Sequence, residues 1–110
     1  MNNTYKDLIV WQKAMDLVIE VYILNKKFPK DEIYSVVSQM KRSAVSVPSN
    51  IAEGKMRGTN KEFKRFLLIA YGSGAELETQ VEIAKRLQYA KPDDYKITDK
   101  LLDEVMRMLN

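Results

Sequence analysis

The chain has 110 residues, of which 45% are hydrophobic and 30% charged, so we expect one folded domain with a single core and not a disordered chain. It contains no histidine and no cysteine, which excludes zinc fingers, catalytic thiols, Ser-His-Asp triads and disulfide frameworks. The 18 basic and 15 acidic residues give a net charge of +3, a weak indication of a nucleic-acid partner. The amino terminus is polar and no stretch is apolar enough to span a bilayer, so we expect no membrane contact and a cytoplasmic location.

Apolar residues recur every three or four positions in nearly every segment, which predicts an all-α fold. In the first segment this spacing gives two parallel apolar stripes and predicts a helix over residues 7–27, ended by Pro29. A second helix is predicted over residues 31–54, with Asp31 as its N-cap. Because a proline inside a helix removes one hydrogen bond, we expect a kink or short break at Pro48.

The second half of the chain predicts two more helices. Thr59 and Glu62 form a capping-box pattern at the start of a helix predicted over residues 60–89. A shorter helix is predicted over residues 94–109. Four amphipathic helices with short connections predict an antiparallel up-down-up-down four-helix bundle that takes up the whole chain as one domain.

The sequence Gly72-Ser73-Gly74 lies inside a strong helical pattern, where each glycine costs about 1 kcal/mol relative to alanine. Close helix packing would offset this cost, and a hinge or a backbone that contacts phosphate is the functional alternative. A phosphate-binding loop needs a preceding strand and a free helix start, and this position offers neither. We therefore expect these residues to serve helix pairing and assembly.

The predicted bundle also specifies which residues face each other. If the second and third helices turn near residue 57, the facing pairs are Gly72 with Arg42 and Gly74 with Met40. The same geometry between the first two helices places Trp11 near Pro48. We expect Trp11, Arg42 and Pro48 to have structural roles.

Paired carboxylates could support acid-base catalysis or hold a divalent ion. The carboxylates nearest the central helices are Glu53, Glu76, Glu78 and Glu82. Ion pairing explains them better, because Glu82 lies one turn from Arg86 and Glu76 lies within reach of Arg42. We expect no enzymatic activity, no cofactor and no metal, and a carboxylate metal enzyme is the remaining alternative.

Residues 55–65 carry the most concentrated charge in the sequence. The basic residues of this window are Lys55, Arg57, Lys61, Lys64 and Arg65, opposed by the single acid Glu62. Placed at one end of a bundle, they predict a nucleic-acid-binding patch for phosphate groups. A solvated charge run without a ligand is the alternative.

Exposed apolar surface predicts self-association. The second apolar stripe of the first helix exceeds what a four-helix monomer needs, and four tyrosines are predicted to be exposed, namely Tyr5, Tyr34, Tyr71 and Tyr95. We therefore expect a homo-oligomer.

Two segments make the chain resemble a known family. Residues 45–54 read VSVPSNIAEG and residues 70–79 read AYGSGAELET, and together they resemble the bacterial four-helix bundle proteins encoded in intervening sequences of 23S ribosomal RNA genes. The resemblance covers nearly the whole chain. It implies a ring-like homo-oligomer without established enzymatic activity, and it implies assembly roles for the matching residues Asn50, Glu53, Ser73, Glu76 and Glu78.

Relatives of this family include the accessory variability determinant of diversity-generating retroelements, a pentamer that binds nucleic acid and associates with a reverse transcriptase. We therefore predict a non-enzymatic homo-oligomer, with a pentamer as one form, that binds structured RNA or DNA without reading base sequence. The alternative is a protein-interaction scaffold, for example an accessory protein of a reverse transcriptase, in which the basic patch is incidental.

Overall fold

Four α-helices make up most of residues 4–110, the part of the chain that the computed structural model describes. The helices are α1 (Ile9–Asn25), α2 (Ser38–Met56), α3 (Asn60–Arg86) and α4 (Lys96–Leu109). Short 3-10 turns lie at Tyr5–Asp7, Lys30–Glu32 and Pro92–Tyr95, and one π-helical turn lies at Ile33–Val37. These described residues form no strand. The predicted all-α four-helix bundle is confirmed.

The bundle measures 44 × 21 × 20 Å, and contacts between neighbouring helices pair residues in opposite order along the chain. Between α3 and α4, the Lys85 ammonium lies 2.8 Å from the Asp99 carboxylate near one end, and Gly74 packs against Met106 further along. The most extensive contact joins α2 and α3. The apolar residues of α2 that recur every three or four positions lie in the core, with these residues fully buried: Met40, Ala44, Val47 and Ile51.

The start of α2 differs from its prediction. Asp31 lies in a 3-10 turn with no side-chain capping bond, so its predicted role as an N-cap is wrong. The residues that follow form a π-helical turn, and Ile33 remains half exposed. Regular α-helix begins only at Ser38, after this π-helical turn, in which Val37 is the buried residue.

No break occurs at Pro48, contrary to one of the two expectations for this residue. The α-helix runs without interruption from Ser38 to Met56, and Pro48 lies inside it with its ring buried. A proline costs the helix one hydrogen bond, and here the apolar ring and its neighbours in the core offset that cost. The long contact with α3 also favours a continuous α2.

Capping explains where the other helices end. Before α1, Thr4 caps a separate 3-10 turn, so α1 begins later than predicted. After α3, Gln88 has a left-handed backbone with φ of 58°. The amides of Gln88 and Tyr89 donate to the carbonyls of Lys85 and Ala84, each at 3.1 Å. This pair of hydrogen bonds is a Schellman motif, and it ends α3 before the predicted limit of residue 89.

Three successive residues of α3 face three different environments. The Ser73 hydroxyl lies 2.8 Å from the hydroxyl of Ser46 on α2. Gly74 faces α4, where a Cβ atom would collide with the sulfur of Met106, whereas a Cβ on Gly72 would meet open space. Close packing therefore explains the glycine at position 74 and not the one at position 72.

The predicted facing pairs between α2 and α3 are therefore wrong. Gly72 does not pack on Arg42, and Gly74 contacts α4 where Met40 was expected. The pairing of Ser46 with Ser73 differs from the predicted register by more than one helical turn. The physical reason is that the approximate position of a short loop in the sequence fixes neither the axial register of α2 against α3 nor the rotation of either helix about its axis.

No helix of the described chain has both the length and the apolar character needed to cross a membrane. Within residues 4–110, the acidic side chains also form no group of three or more that is arranged to hold a metal ion.

Candidate nucleic-acid interface

The loop between α2 and α3 brings the predicted cations to one end of the bundle, called the loop end below. Arg57, directly after α2, donates to the carboxylate of Glu53 at 2.8 Å and lies 4.0 Å from that of Glu62. Arg65 donates to the same Glu62 carboxylate through two nitrogens, at 3.1 and 3.2 Å. Two carboxylates therefore neutralise the two arginines of the predicted patch.

Thr59 determines where α3 begins. Its hydroxyl accepts a hydrogen bond from the backbone N–H of Glu62 at 3.2 Å, which is half of the predicted capping box. The Glu62 carboxylate binds Arg65, and this hydrogen bond lowers the pKa of Glu62. The same bond raises the pKa of the Arg65 guanidinium. Both groups therefore stay charged at neutral pH.

Phe66 is an aromatic platform beneath both arginines. Its ring is almost completely buried, and the guanidinium carbons of Arg57 and Arg65 lie 4.9 and 4.6 Å from the ring centre. Gly54 allows this arrangement, because a Cβ at that position would lie 2.5 Å from the Cβ of Phe66. The arginines are thus held by carboxylates on one side and by a ring face on the other.

Three lysines at the loop end have no carboxylate within ion-pair distance in the described part of the chain, namely Lys55, Lys61 and Lys64. The Lys55 ammonium lies 5.6 Å from the centre of the Phe63 ring. Lys61 and Lys64 are exposed near the start of α3, and Lys61 lies in the first turn, where the helix dipole disfavours positive charge. Five basic residues and the two carboxylates Glu53 and Glu62 give this end a local charge of +3.

The residues predicted for helix pairing form a polar contact between α2 and α3. The Asn50 side-chain amide donates to the carbonyl and hydroxyl oxygens of Ser46, at 2.8 and 2.9 Å. Ser46 in turn bonds Ser73 of α3 at 2.8 Å. Pro48 is buried within the same stretch of α2, so these bonds hold the two longest helices together at its level.

Arg42 and Glu76 line one polar groove between α2 and α3, of about 470 Å³. In the described chain their charged groups lie farther apart than ion-pair distance, so the expected Arg42–Glu76 pair is not formed. Gln80 lines the same groove and is 7% exposed. Glu53, the other carboxylate predicted for assembly, pairs with Arg57 at the loop end.

The predicted contact of Trp11 with Pro48 stays a prediction. The pairing of Tyr22 on α1 with Lys41 on α2 sets a register in which Trp11 lies about one helical turn from Pro48 along the bundle. The indole is half buried and packs edge-on against the Tyr5 ring at 5.4 Å.

The four tyrosines predicted to be exposed divide into three groups. Tyr34 is 96% exposed, Tyr5 and Tyr71 are half buried, and Tyr95 is only 2% exposed. The prediction is therefore wrong for Tyr95, whose 3-10 turn directs the ring toward Phe28, 6.3 Å away between ring centres. Burial raises the pKa of the Tyr95 phenol.

A second cationic surface went unpredicted, in the groove between α1 and α2. Lys26, Lys30 and Lys41 line it with the ring of Tyr22. The three lysines come from the end of α1, the following turn and the first turn of α2, so no short window of the sequence contains them all. The spacing of Lys26 and Lys30 was the one local signal.

The sequence of this four-helix bundle was compared with models of known protein families. A sequence model of the 23S rRNA-intervening sequence protein family matches residues 6–110. The chain belongs to this family. The resemblance predicted from the VSVPSNIAEG and AYGSGAELET segments is thereby confirmed.

A solved structure is also similar to this member of the 23S rRNA-intervening sequence protein family in three dimensions. A protein of unknown function from the S23 ribosomal protein family of Bacteroides thetaiotaomicron is similar, with a TM-score of 0.83 and 22% sequence identity. The match covers 92% of this chain and 94% of that chain, and it shows the fold alone. A comparison with functionally curated proteins finds no match.

Proposed function

We propose that this member of the 23S rRNA-intervening sequence protein family is a non-enzymatic, cytoplasmic homo-oligomer that binds structured RNA or DNA through its loop end. The observation that carries the proposal is the placement of Lys61 and Lys64. Both are exposed and without a carboxylate partner in the described chain. Lys61 also lies in the first turn of α3, where the helix dipole disfavours a cation, so helix stability does not account for it.

The loop end offers two kinds of phosphate contact. Lys61 and Lys64 are mobile point charges that replace the counterions of a nucleic-acid backbone. Arg57 and Arg65 are held against Phe66, and their carboxylate partners reduce the charge that they offer a ligand. Nothing at this end is arranged to read base edges, so binding should be independent of sequence.

The test is a salt titration of binding to a fluorescent RNA hairpin and to a DNA duplex of similar length. Lys61→Ala/Lys64→Ala should lower affinity for both ligands about tenfold at moderate salt. It should also flatten the plot of log affinity against log salt by about two units, because two phosphate contacts are lost. The control for the change in net charge is Lys96→Ala/Lys100→Ala, two exposed lysines of α4, of which Lys96 pairs with Asp93 at 3.3 Å.

Salt-insensitive binding of the unchanged protein would contradict the proposal, and so would equal losses in the control variant. Arg65 stays unchanged in this experiment, because its replacement would also break the contact with Glu62.

A protein-interaction scaffold is the second candidate, favoured by the apolar side chains that remain exposed on α1. Ile9, Ile19 and Ile23 are 61%, 56% and 44% exposed, and such a face suits a partner protein or a second copy. A partner such as a reverse transcriptase should then remain bound after nuclease treatment and in high salt. Loss of the partner under either condition would exclude the scaffold.

A further inference from the structure

The groove between α1 and the start of α2 combines positive charge with aromatic and apolar walls. Its volume is about 300 Å³, at the small end of the range for ligand sites. Three lysines line it beside the ring of Tyr22 and the side chain of Ile33, and none of the described residues on its walls is acidic. The groove lies on α1 and α2, away from the loop end.

The lysines of this groove are available to a ligand. Lys26, Lys30 and Lys41 have no carboxylate within ion-pair distance in the described chain, whereas their neighbour Lys27 pairs with Asp94 at 3.2 Å. The Lys41 ammonium lies 4.6 Å from the centre of the Tyr22 ring. Tyr22 is 41% exposed, so part of the ring remains open beside a cluster of cations.

Asn25 adds a buried polar group with unused bonding capacity. The residue lines the groove and is 7% exposed. Its amide nitrogen makes a weak contact with the sulfur of Met40 at 3.6 Å, and its Oδ1 atom has no hydrogen-bond partner among the described residues. A buried acceptor of this kind favours a ligand that donates an N–H.

We propose that this groove binds one unpaired nucleotide, a ligand class that rests on the proposed function. The phosphate would lie among Lys26, Lys30 and Lys41, the base along Tyr22 and Ile33, and a base N–H would donate to Asn25 Oδ1. An inorganic anion has neither a base to stack on the Tyr22 ring nor an N–H to donate to Asn25 Oδ1. The same chemistry belongs to a free mononucleotide and to an unpaired nucleotide within a strand.

The first measurement is an NMR titration of the full-length, ¹⁵N-labelled protein with cytidine monophosphate, ribose 5-phosphate and inorganic phosphate. Cytidine monophosphate should shift the amide signals of Tyr22, Asn25 and Lys41, and the two ligands without a base should leave Asn25 unchanged. Equal shifts from all three ligands would reduce the groove to an anion site and overturn the proposal.

The second measurement is the affinity for a short single-stranded RNA. Tyr22→Ala should weaken binding about tenfold because a stacking contact is lost, and Tyr22→Phe should restore it because the ring remains. Lys26→Ala/Lys30→Ala should weaken binding similarly, compared with Lys96→Ala/Lys100→Ala. No effect of Tyr22→Ala would overturn the proposal. Because the Tyr22 side chain is partly exposed, the variant should stay folded, so weaker binding would not reflect unfolding.

The two proposals fail separately in this design. Tyr22→Ala should leave binding of a fully paired hairpin stem unchanged, since that ligand offers no unpaired base, and Lys61→Ala/Lys64→Ala should weaken it. If Tyr22→Ala leaves single-stranded RNA binding unchanged while Lys61→Ala/Lys64→Ala still weakens hairpin binding, the groove is excluded and the loop end remains. Tight binding of cytidine monophosphate alone would assign the groove to free nucleotides, and preference for the strand would assign it to nucleic acid.

Discussion

Gly54 and Gly72 both lie inside helices, yet a methyl group would meet opposite surroundings at the two positions. At Gly54 an added Cβ would lie 2.5 Å from the Cβ of Phe66, an atom that no rotation of the ring can move away. At Gly72 the added Cβ would meet nothing within 4 Å. The first glycine is required by the contact between α2 and α3, and the second is not required by any contact within the subunit.

We predict opposite effects of alanine at these two glycines. Gly54→Ala should lower the free energy of unfolding by about 1–3 kcal/mol, because α2 and α3 must separate. Gly72→Ala should raise it by up to about 1 kcal/mol, because alanine favours an exposed helix interior. Urea denaturation at a fixed protein concentration measures both changes.

Gly74→Ala provides the intermediate case. Its Cβ would meet the Met106 side chain, which is flexible and gives way more easily than a neighbouring Cβ. If Gly72→Ala lowered the free energy of unfolding as much as Gly54→Ala, the prediction for the isolated subunit would be contradicted. Such a result would show that the surface of α3 near Gly72 is covered.

The loop end shows which properties of single residues the sequence predicts. The concentration of cations was visible in residues 55–65. Glu53 and Arg57 have the one-turn spacing that favours an ion pair, but Glu53 was assigned to assembly and this pair was not predicted. The stacking of both arginines on Phe66 was not visible, because it depends on how closely α2 approaches α3 at Gly54. Burial of Tyr95 was missed for the same reason, since its partner Phe28 is distant in sequence.

At the scale of elements, the start of α3 depends on ionised Glu62. The hydrogen bond from Arg65 lowers the pKa of Glu62 below its ordinary value of 4.5. A carboxyl with a lowered pKa in the folded state stabilises the fold above its unfolded pKa, and this contribution disappears as pH falls through the folded pKa. Acid should therefore weaken the first turns of α3.

Glu62→Gln should reduce this pH dependence. Its stability should be lower than that of the unchanged protein at pH 7. The two should begin to converge below the ordinary pKa of 4.5 and meet as the pH falls through the lower pKa of Glu62 in the folded protein. Urea denaturation across this pH range is the measurement, with Glu78→Gln on the exposed face of α3 as the matched control. Parallel stability curves for the unchanged protein and Glu62→Gln would contradict the prediction.

The helices themselves were predictable, and their relative rotation was not. Apolar spacing identifies which positions of a helix face the core, so the four helices and the buried seam of α2 follow from the sequence. Successive residues of a helix differ in direction by about 100°, and this sends Ser73 toward α2 while Gly74 faces α4. Turn position alone therefore could not assign the partners of these residues.

For the whole molecule, the two cationic surfaces lie on different faces and near different ends of α2. Lys61 and Lys64 lie in the first turns of α3, next to the carboxyl end of α2, whereas Lys30 precedes α2 and Lys41 lies in its first turn. A single subunit exposes few cations at each surface. Assembly into a homo-oligomer would repeat both surfaces and raise affinity through multiple contacts, so the proposed binding and the proposed assembly support each other.

The exposed stripe of α1 is the surface that we expect to mediate assembly. Met15, Ile19 and Ile23 follow one another at intervals of one turn and are 38%, 56% and 44% exposed. Ile19 also shares a surface groove with Ile97, which is 58% exposed on α4. Apolar residues in such a continuous stripe are typical of surfaces that are covered by a partner.

Ile19→Lys/Ile23→Lys should therefore dissociate the protein to its 12.8 kDa subunit in light scattering, because a contact between copies would bury unpaired charge. The subunit should keep its helical circular dichroism, since both side chains already face outward. Leu68→Lys/Ile83→Lys changes two exposed apolar residues of α3, 70% and 45% exposed, and should leave the mass unchanged. A measured mass of 12.8 kDa for the unchanged protein would exclude assembly. Dissociation by the α3 variant alone would place the contact on α3. The missing side chain of Gly72 would then allow a second helix to approach α3 closely.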